Sequence, residues 1–170
     1  MSRAFNRVGV LVGRRRLAVL SRELIYSMNW LRSFVAVVVG LGVISIVVRA
    51  LEFTLFNALA PGPIATMNDY FAIQNQPGVR AAKLVYTTVA GVLGGYLTAR
   101  IAEFHEVRHA VALAAIETAA LAWGFTQGEF ASYTPVWLRA SLVLFTGPAI
   151  IAGATIRARA ARLSVRPNPQ

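Results

Sequence analysis

Long apolar runs, not alternating or amphipathic patterns, divide this chain. The first, Ser33–Leu59, reads SFVAVVVGLGVISIVVRALEFTLFNAL and stops before Pro61-Gly62-Pro63. At 1.5 Å per residue it reaches roughly 40 Å, enough to cross a hydrocarbon core of about 30 Å with tilt. Three more follow at 84–102, 109–125 and 135–156. Pro135 suits a helix start, where its missing N–H costs nothing. The third run is short, alanine-rich and contains Glu117. Alone it would fit a buried helix of a soluble domain; beside the other three it is expected to span. The predicted fold is all-α, a four-transmembrane-helix bundle over residues 33–156. A basic segment (1–32) precedes it, a loop (60–83) separates the first two helices, and a basic tail (157–170) follows. Within the loop, Thr66 to Ile73 is expected to form a short interfacial helix between two turn-forming stretches.

Composition agrees with this pattern. Hydrophobic residues make up 56% of the 170 residues and charged residues only 14%, against roughly 25% charged in average soluble domains. The net charge is +10, nearly all of it arginine. The arginines flank the apolar runs instead of lining one helix or sheet face, so nucleic acid is not the expected partner. Their placement orients the chain. Arg3, Arg7, Arg14, Arg15, Arg16, Arg22 and Arg32 precede the first run, Arg157, Arg159, Arg162 and Arg166 follow the last, and Arg100 and Arg108 flank the middle turn. Only Arg80 and Lys83 occupy the other side. Thirteen against two places both termini in the cytoplasm and the chain in a cell inner membrane. Trp30, Tyr133 and Trp137 fall near the predicted interfaces, as an aromatic belt requires.

Residues 8–26 place short apolar stretches on either side of Arg14-Arg15-Arg16. Two readings stand together: a helix lying on anionic lipid at the cytoplasmic face, or an ordinary basic flank. The first 30 residues do not read as a secretory signal, because the apolar stretch 8–12 is too short. The absence of cysteine removes disulfides and thiolate chemistry from consideration.

Four ionisable residues interrupt the apolar runs: Arg49 and Glu52 in the first, Glu117 in the third, Arg139 in the fourth. A lone charge at mid-bilayer costs about 2.5–3.5 kcal/mol, so such groups face protein or water. Arg49 and Glu52 are three apart and share a helix face. The expectation is one polar cluster, with Glu117 paired to Arg49 and Glu52 paired to Arg139 or sharing Arg49. Such a cluster is either a structural set of buried ion pairs or an ion or ligand site; Arg139 is the residue best placed to snorkel. Gly91 and Gly95, with Gly94 between them, form a small-residue stripe suited to helix packing within the bundle or between copies. Gly147-Pro148 is expected to bend the last helix.

The middle turn contains His105-Glu106-Val107-Arg108-His109, the H-E-x-x-H order of zinc proteases. That chemistry needs a third ligand, and the chain has no further histidine. No metal, cofactor or catalytic residue is therefore expected, and the chain is expected not to be an enzyme. The stretch Gly94-Gly95-Tyr96-Leu97-Thr98-Ala99-Arg100-Ile101-Ala102, with His109-Ala110 opening the next helix, resembles a pattern in small four-helix bacterial inner-membrane proteins of uncharacterised function. The resemblance implies a hydrophobic four-helix protein and supplies no active site. The expected role is a non-enzymatic scaffold or accessory subunit, with a membrane-protein partner or a second copy as candidate partners. A small transporter or ion-conducting oligomer using the intramembrane charges is the alternative, and a membrane metalloprotease the third.

Overall fold

The computed structural model describes residues 2–60, 62, 64, 66–127 and 133–164, with side chains described from residue 30 onward. Five helices follow in order: α1 Ser2–Leu59, α2 Met67–Gln74, α3 Pro77–Ala102, α4 Glu106–Gln127 and α5 Val136–Ser164. Four stretches are long and apolar enough to cross a membrane: Trp30–Leu59 of α1, then α3, α4 and α5. The chain is thus an all-α, multi-pass bundle. The expected break at residue 32 is absent, because α1 runs through it as one helix of 58 residues. The basic side chains of residues 3–22, and those of the tail from 165 onward, lie outside the described residues.

Local sequence explains where the helices begin and end. Thr66 and Asp69 form a reciprocal capping box at the start of α2, with Thr66 N–H donating to Asp69 Oδ2 at 3.0 Å and Asp69 N–H donating to Thr66 Oγ1 at 3.2 Å. Pro77 opens α3, seven residues earlier than the apolar run suggested. Arg80 and Lys83 therefore belong to the first turns of a spanning helix and not to a loop. At the other end of α3, Glu103 and His105 both adopt left-handed backbone, φ 58° and 49°. Such residues cost on the order of 1–2 kcal/mol each, so something must hold them. Arg32 of α1 does so: its Nε donates to the Ile101 carbonyl at 2.8 Å and its guanidinium pairs with Glu103.

α3 is the central helix, packed against α5, α1 and α4. Where it crosses α5, a Cβ on Gly95 would overlap the Ile150 carbonyl, and one on Gly153 would overlap the Val92 carbonyl. Where it crosses α1, a Cβ on Gly94 would overlap Ile44, and one on Gly40 would overlap the Thr98 hydroxyl. Gly91 faces Ala149 at 3.2 Å. Backbones this close gain dispersion contacts that lipid cannot replace. Thr98 reinforces the α1 crossing by donating to the Ala36 carbonyl at 3.2 Å. Around these crossings lies a core of Ile44, Ala90, Ala99, Leu113, Ile150 and Ala154. The outward faces carry Phe34, Ile46, Phe53, Val85, Trp123 and Leu144, all exposed, as a lipid-facing surface requires. Pro148 lies inside α5, which runs unbroken from Val136 to Ser164.

α4 departs from the others. Its buried residues are Ala110, Leu113 and Ala114, all in its first half. Beyond them a cleft separates α4 from α1 toward the α2 end, while α4 stays against α5.

These packing distances set an expectation for alanine. Gly95→Ala or Gly153→Ala should cost about 1–3 kcal/mol of stability by forcing backbones apart. Gly42→Ala, with nothing within 4 Å of its added Cβ, should be neutral or gain up to about 1 kcal/mol of helix propensity. Thermal unfolding of the three variants in one mild detergent checks the contrast.

Candidate functional site

Glu52 anchors the polar chemistry at the α2 end. Its side chain is only 7% exposed and pairs with Lys83 of α3, Nζ to Oε1 at 2.6 Å. The Tyr86 hydroxyl donates to the same oxygen at 3.2 Å, and Arg49 Nη1 reaches Oε2 at 3.4 Å. Lys83 also donates to Gln74 Oε1 at 3.5 Å, and Gln74 Nε2 donates to Thr134 Oγ1 at 3.3 Å. The network joins α1, α2, α3 and the residues before α5. Helical spacing brings Lys83 and Tyr86 onto one face of α3, one turn apart.

The four sequence candidates are not assembled into one cluster. Glu52 takes Lys83, not Arg139. Arg139 instead donates through Nη1 to the Phe125 carbonyl at 2.7 Å, satisfying a carbonyl in the last turn of α4. Glu117 does not pair with Arg49, and it makes no hydrogen bond or ion pair among the described residues. The reason is geometric. Lys83 sits one turn inside α3 and reaches Glu52 first, while the divergence of α4 carries Glu117 away from α1. The signal for Lys83 was available: it is the chain's one lysine, and Tyr86 follows it by three.

Two cavities meet at Arg49. One, about 800 Å³, lies between the end of α1 and α2, lined by Arg49, Glu52, Phe56, Asn57 and Tyr70 among others. The other, about 710 Å³, is the cleft between α1 and α4. Ser45 and Arg49 line it from α1, Tyr70 and Gln74 from α2, Lys83 from α3 and Glu117 from α4. Met67, Phe71, Leu121 and Phe125 supply apolar wall. The Arg49 side chain is 79% exposed and lines both spaces. Tyr70 lies under α2 against Phe56, ring centroids 4.7 Å apart. Burial, then the charge of Glu52, pushes its phenol above the usual value near 10, and Arg49 partly offsets this. Tyr70 is therefore a neutral hydrogen-bond donor at physiological pH. Phe71 stacks on Tyr133 at 4.7 Å and closes the same end.

No protein-family profile, no curated protein and no solved structure matches this chain.

The H-E-x-x-H residues lie at the opposite end of the bundle. His105 precedes α4 in left-handed backbone, and the His109 ring nitrogens engage the His105 carbonyl (3.1 Å) and Ser33 Oγ (2.8 Å). These contacts tie the start of α4 to α1. Among the described residues no three histidine, aspartate or glutamate side chains gather as a metal would require.

The Glu52–Lys83 pair should dominate stability at this end. Lys83→Met or Glu52→Gln alone should cost about 3–5 kcal/mol, since the partner is left charged and buried. The double variant should recover most of the loss. A double-mutant cycle by thermal unfolding in one detergent measures the coupling; simple additivity would show that the pair is not coupled.

Proposed function

We propose that this chain is a multi-pass protein of a cell inner membrane that binds a polar solute in the cleft between α1 and α4, acting as a small transporter or as the solute-binding subunit of an oligomer. The supporting observation is the cleft itself. Ionisable groups inside a membrane are expensive unless they serve a structural pair or a pathway. Glu52 and Lys83 serve each other, whereas Glu117 has no partner among the described residues and faces a cavity of about 710 Å³ that Arg49 also lines. A purely structural role leaves Glu117 without a purpose. The topology belongs to the same reading: both termini and the Glu103–His105 turn in the cytoplasm, α2 and the mouth of the cleft on the other side. The bias of arginine toward the termini and that turn supports it. The reading includes no catalytic role.

A scaffold or accessory-subunit role has one observation in its favour. Before Trp30, α1 already extends from Ser2 as helix, roughly 40 Å beyond the apolar span. Its arginines suit either anionic lipid at the cytoplasmic face or an acidic partner.

The absence of native cysteine makes both halves of the proposal testable. In intact cells Gly62→Cys should react with a membrane-impermeant maleimide, and Arg108→Cys only after permeabilisation; the reverse pattern would invert the topology. A small charged thiosulfonate should modify Ser45→Cys and Ala120→Cys, which line the cleft, but not Ile46→Cys on the lipid face. Unreactive Ser45→Cys and Ala120→Cys would mean a closed or lipid-filled cleft and would remove the solute-binding reading.

A further inference from the structure

We propose that the α1–α4 cleft takes a monoanionic organic acid, bound by Arg49, and that Glu117 takes up one proton with each anion. The proposal rests on the solute-binding reading above and names the class of solute. Its basis is the inventory of charges facing the cleft from every helix around it. α1 presents Arg49, with Glu52 one turn on; α2 presents Tyr70; α3 presents Lys83; α4 presents Glu117. The charged residue of α5 nearest this end, Arg139, is engaged with the Phe125 carbonyl and takes no part.

Glu52 is neutralised by Lys83 at 2.6 Å, and its second oxygen lies 3.4 Å from Arg49. Two cations therefore share one carboxylate. The local charge is +1 when Glu117 is protonated and zero when it is ionised. Arg49 and Glu117 line the same cleft, so an anion held by Arg49 and the Glu117 carboxylate repel each other. An arriving anion thus favours protonated Glu117, and by reciprocity a proton on Glu117 favours the anion.

The shape of the site narrows the class. A guanidinium offers paired donors matched to a carboxylate, and Tyr70 adds a neutral hydroxyl donor. The remaining wall is largely apolar, with Met67, Phe71, Leu121 and Phe125, suited to the hydrocarbon or aromatic body of the acid. A volume of about 710 Å³ is ample for a small organic molecule. Among the described residues a cation would meet Arg49 and Lys83, with Glu117 as the one carboxylate lining the cleft. The acid can arrive from water or from the bilayer; the chemistry at Arg49 is the same.

The test is equilibrium binding of labelled benzoate to the purified full chain in nanodiscs at pH 6 and pH 8, with benzylamine as the cationic counterpart and palmitate in the bilayer as competitor. Benzoate should bind more tightly at pH 6 than at pH 8, and benzylamine should not bind in the cleft. Arg49→Gln should weaken benzoate by about tenfold or more. Glu117→Gln, neutral at every pH, should bind benzoate with no difference between pH 6 and pH 8. In weakly buffered solution the wild type should take up protons as benzoate binds, a readout independent of any variant's folding. Displacement of benzoate by palmitate would identify the bilayer as a source of ligand; no displacement would identify water. Benzoate binding without proton uptake, unchanged affinity in Arg49→Gln, or preference for benzylamine would each overturn the inference. If benzoate fails to bind while Ala120→Cys reacts with the aqueous thiosulfonate, the anion class is wrong and the solute-binding reading stands. If Ala120→Cys is unreactive, the reading itself falls.

Discussion

The buried ion pair between Glu52 and Lys83 is the constraint on which the rest of this protein depends. Two charges with side chains 7% and 15% exposed are tolerable near the end of a membrane bundle only because each has the other, with Tyr86 and Gln74 satisfying further hydrogen-bonding capacity. The pair ties α1 to α3 at the α2 end. Its consequence for chemistry is subtractive. With Lys83 committed to Glu52, the guanidinium of Arg49 keeps only a long contact to that carboxylate and faces open space. The stability element thereby sets the charge of the cleft beside it.

The cleft is equally a consequence of how the other end is packed. Gly40, Gly94, Gly95 and Gly153 let α1, α3 and α5 cross at backbone distance, and α4 buries Ala110, Leu113 and Ala114 in the bundle while its second half stays against α5 through Thr118 and Phe125. The turn before α4 is clamped by Arg32 on Glu103 and Ile101 and by His109 on Ser33. Tight packing near this turn and divergence beyond it produce a wedge that opens toward α2. Glu117, near the middle of α4, lies where the wedge begins. Helix packing and site geometry are therefore one fact seen at two levels.

Hydropathy made the four spans legible, because a run such as Ser33–Leu59 has no stable alternative to a membrane helix. What it could not place were residues whose role depends on a helix boundary. Lys83 follows the Pro77 start of α3 by six residues, yet the apolar run begins only after it, so a hydropathy reading assigns it to a loop. That displacement rearranged the pairing: Glu52 found Lys83, and Arg139 was left to cap the end of α4 through the Phe125 carbonyl. Glu117 could be recognised as anomalous from sequence, but its lack of a partner could not, since periodicity says nothing about the divergence of one helix from its neighbours. The H-E-x-x-H order shows the opposite limit. A helical reading puts both histidines on one face, whereas the chain reverses at His105 and starts α4 one residue later.

The proposed division of labour gives Glu52 to the Lys83 pair and Glu117 to the cleft, where it would exchange its proton. Infrared difference titration of the full chain in lipid addresses this directly, because a protonated carboxyl has its own C=O stretch. Among the bands that grow as the chain's seven acidic side chains are protonated, one should shift promptly when D₂O replaces H₂O, disappear in Glu117→Gln and persist in Glu52→Gln. Assignment of that band to Glu52, or a Glu117 band that neither titrates nor exchanges with D₂O, would contradict this division.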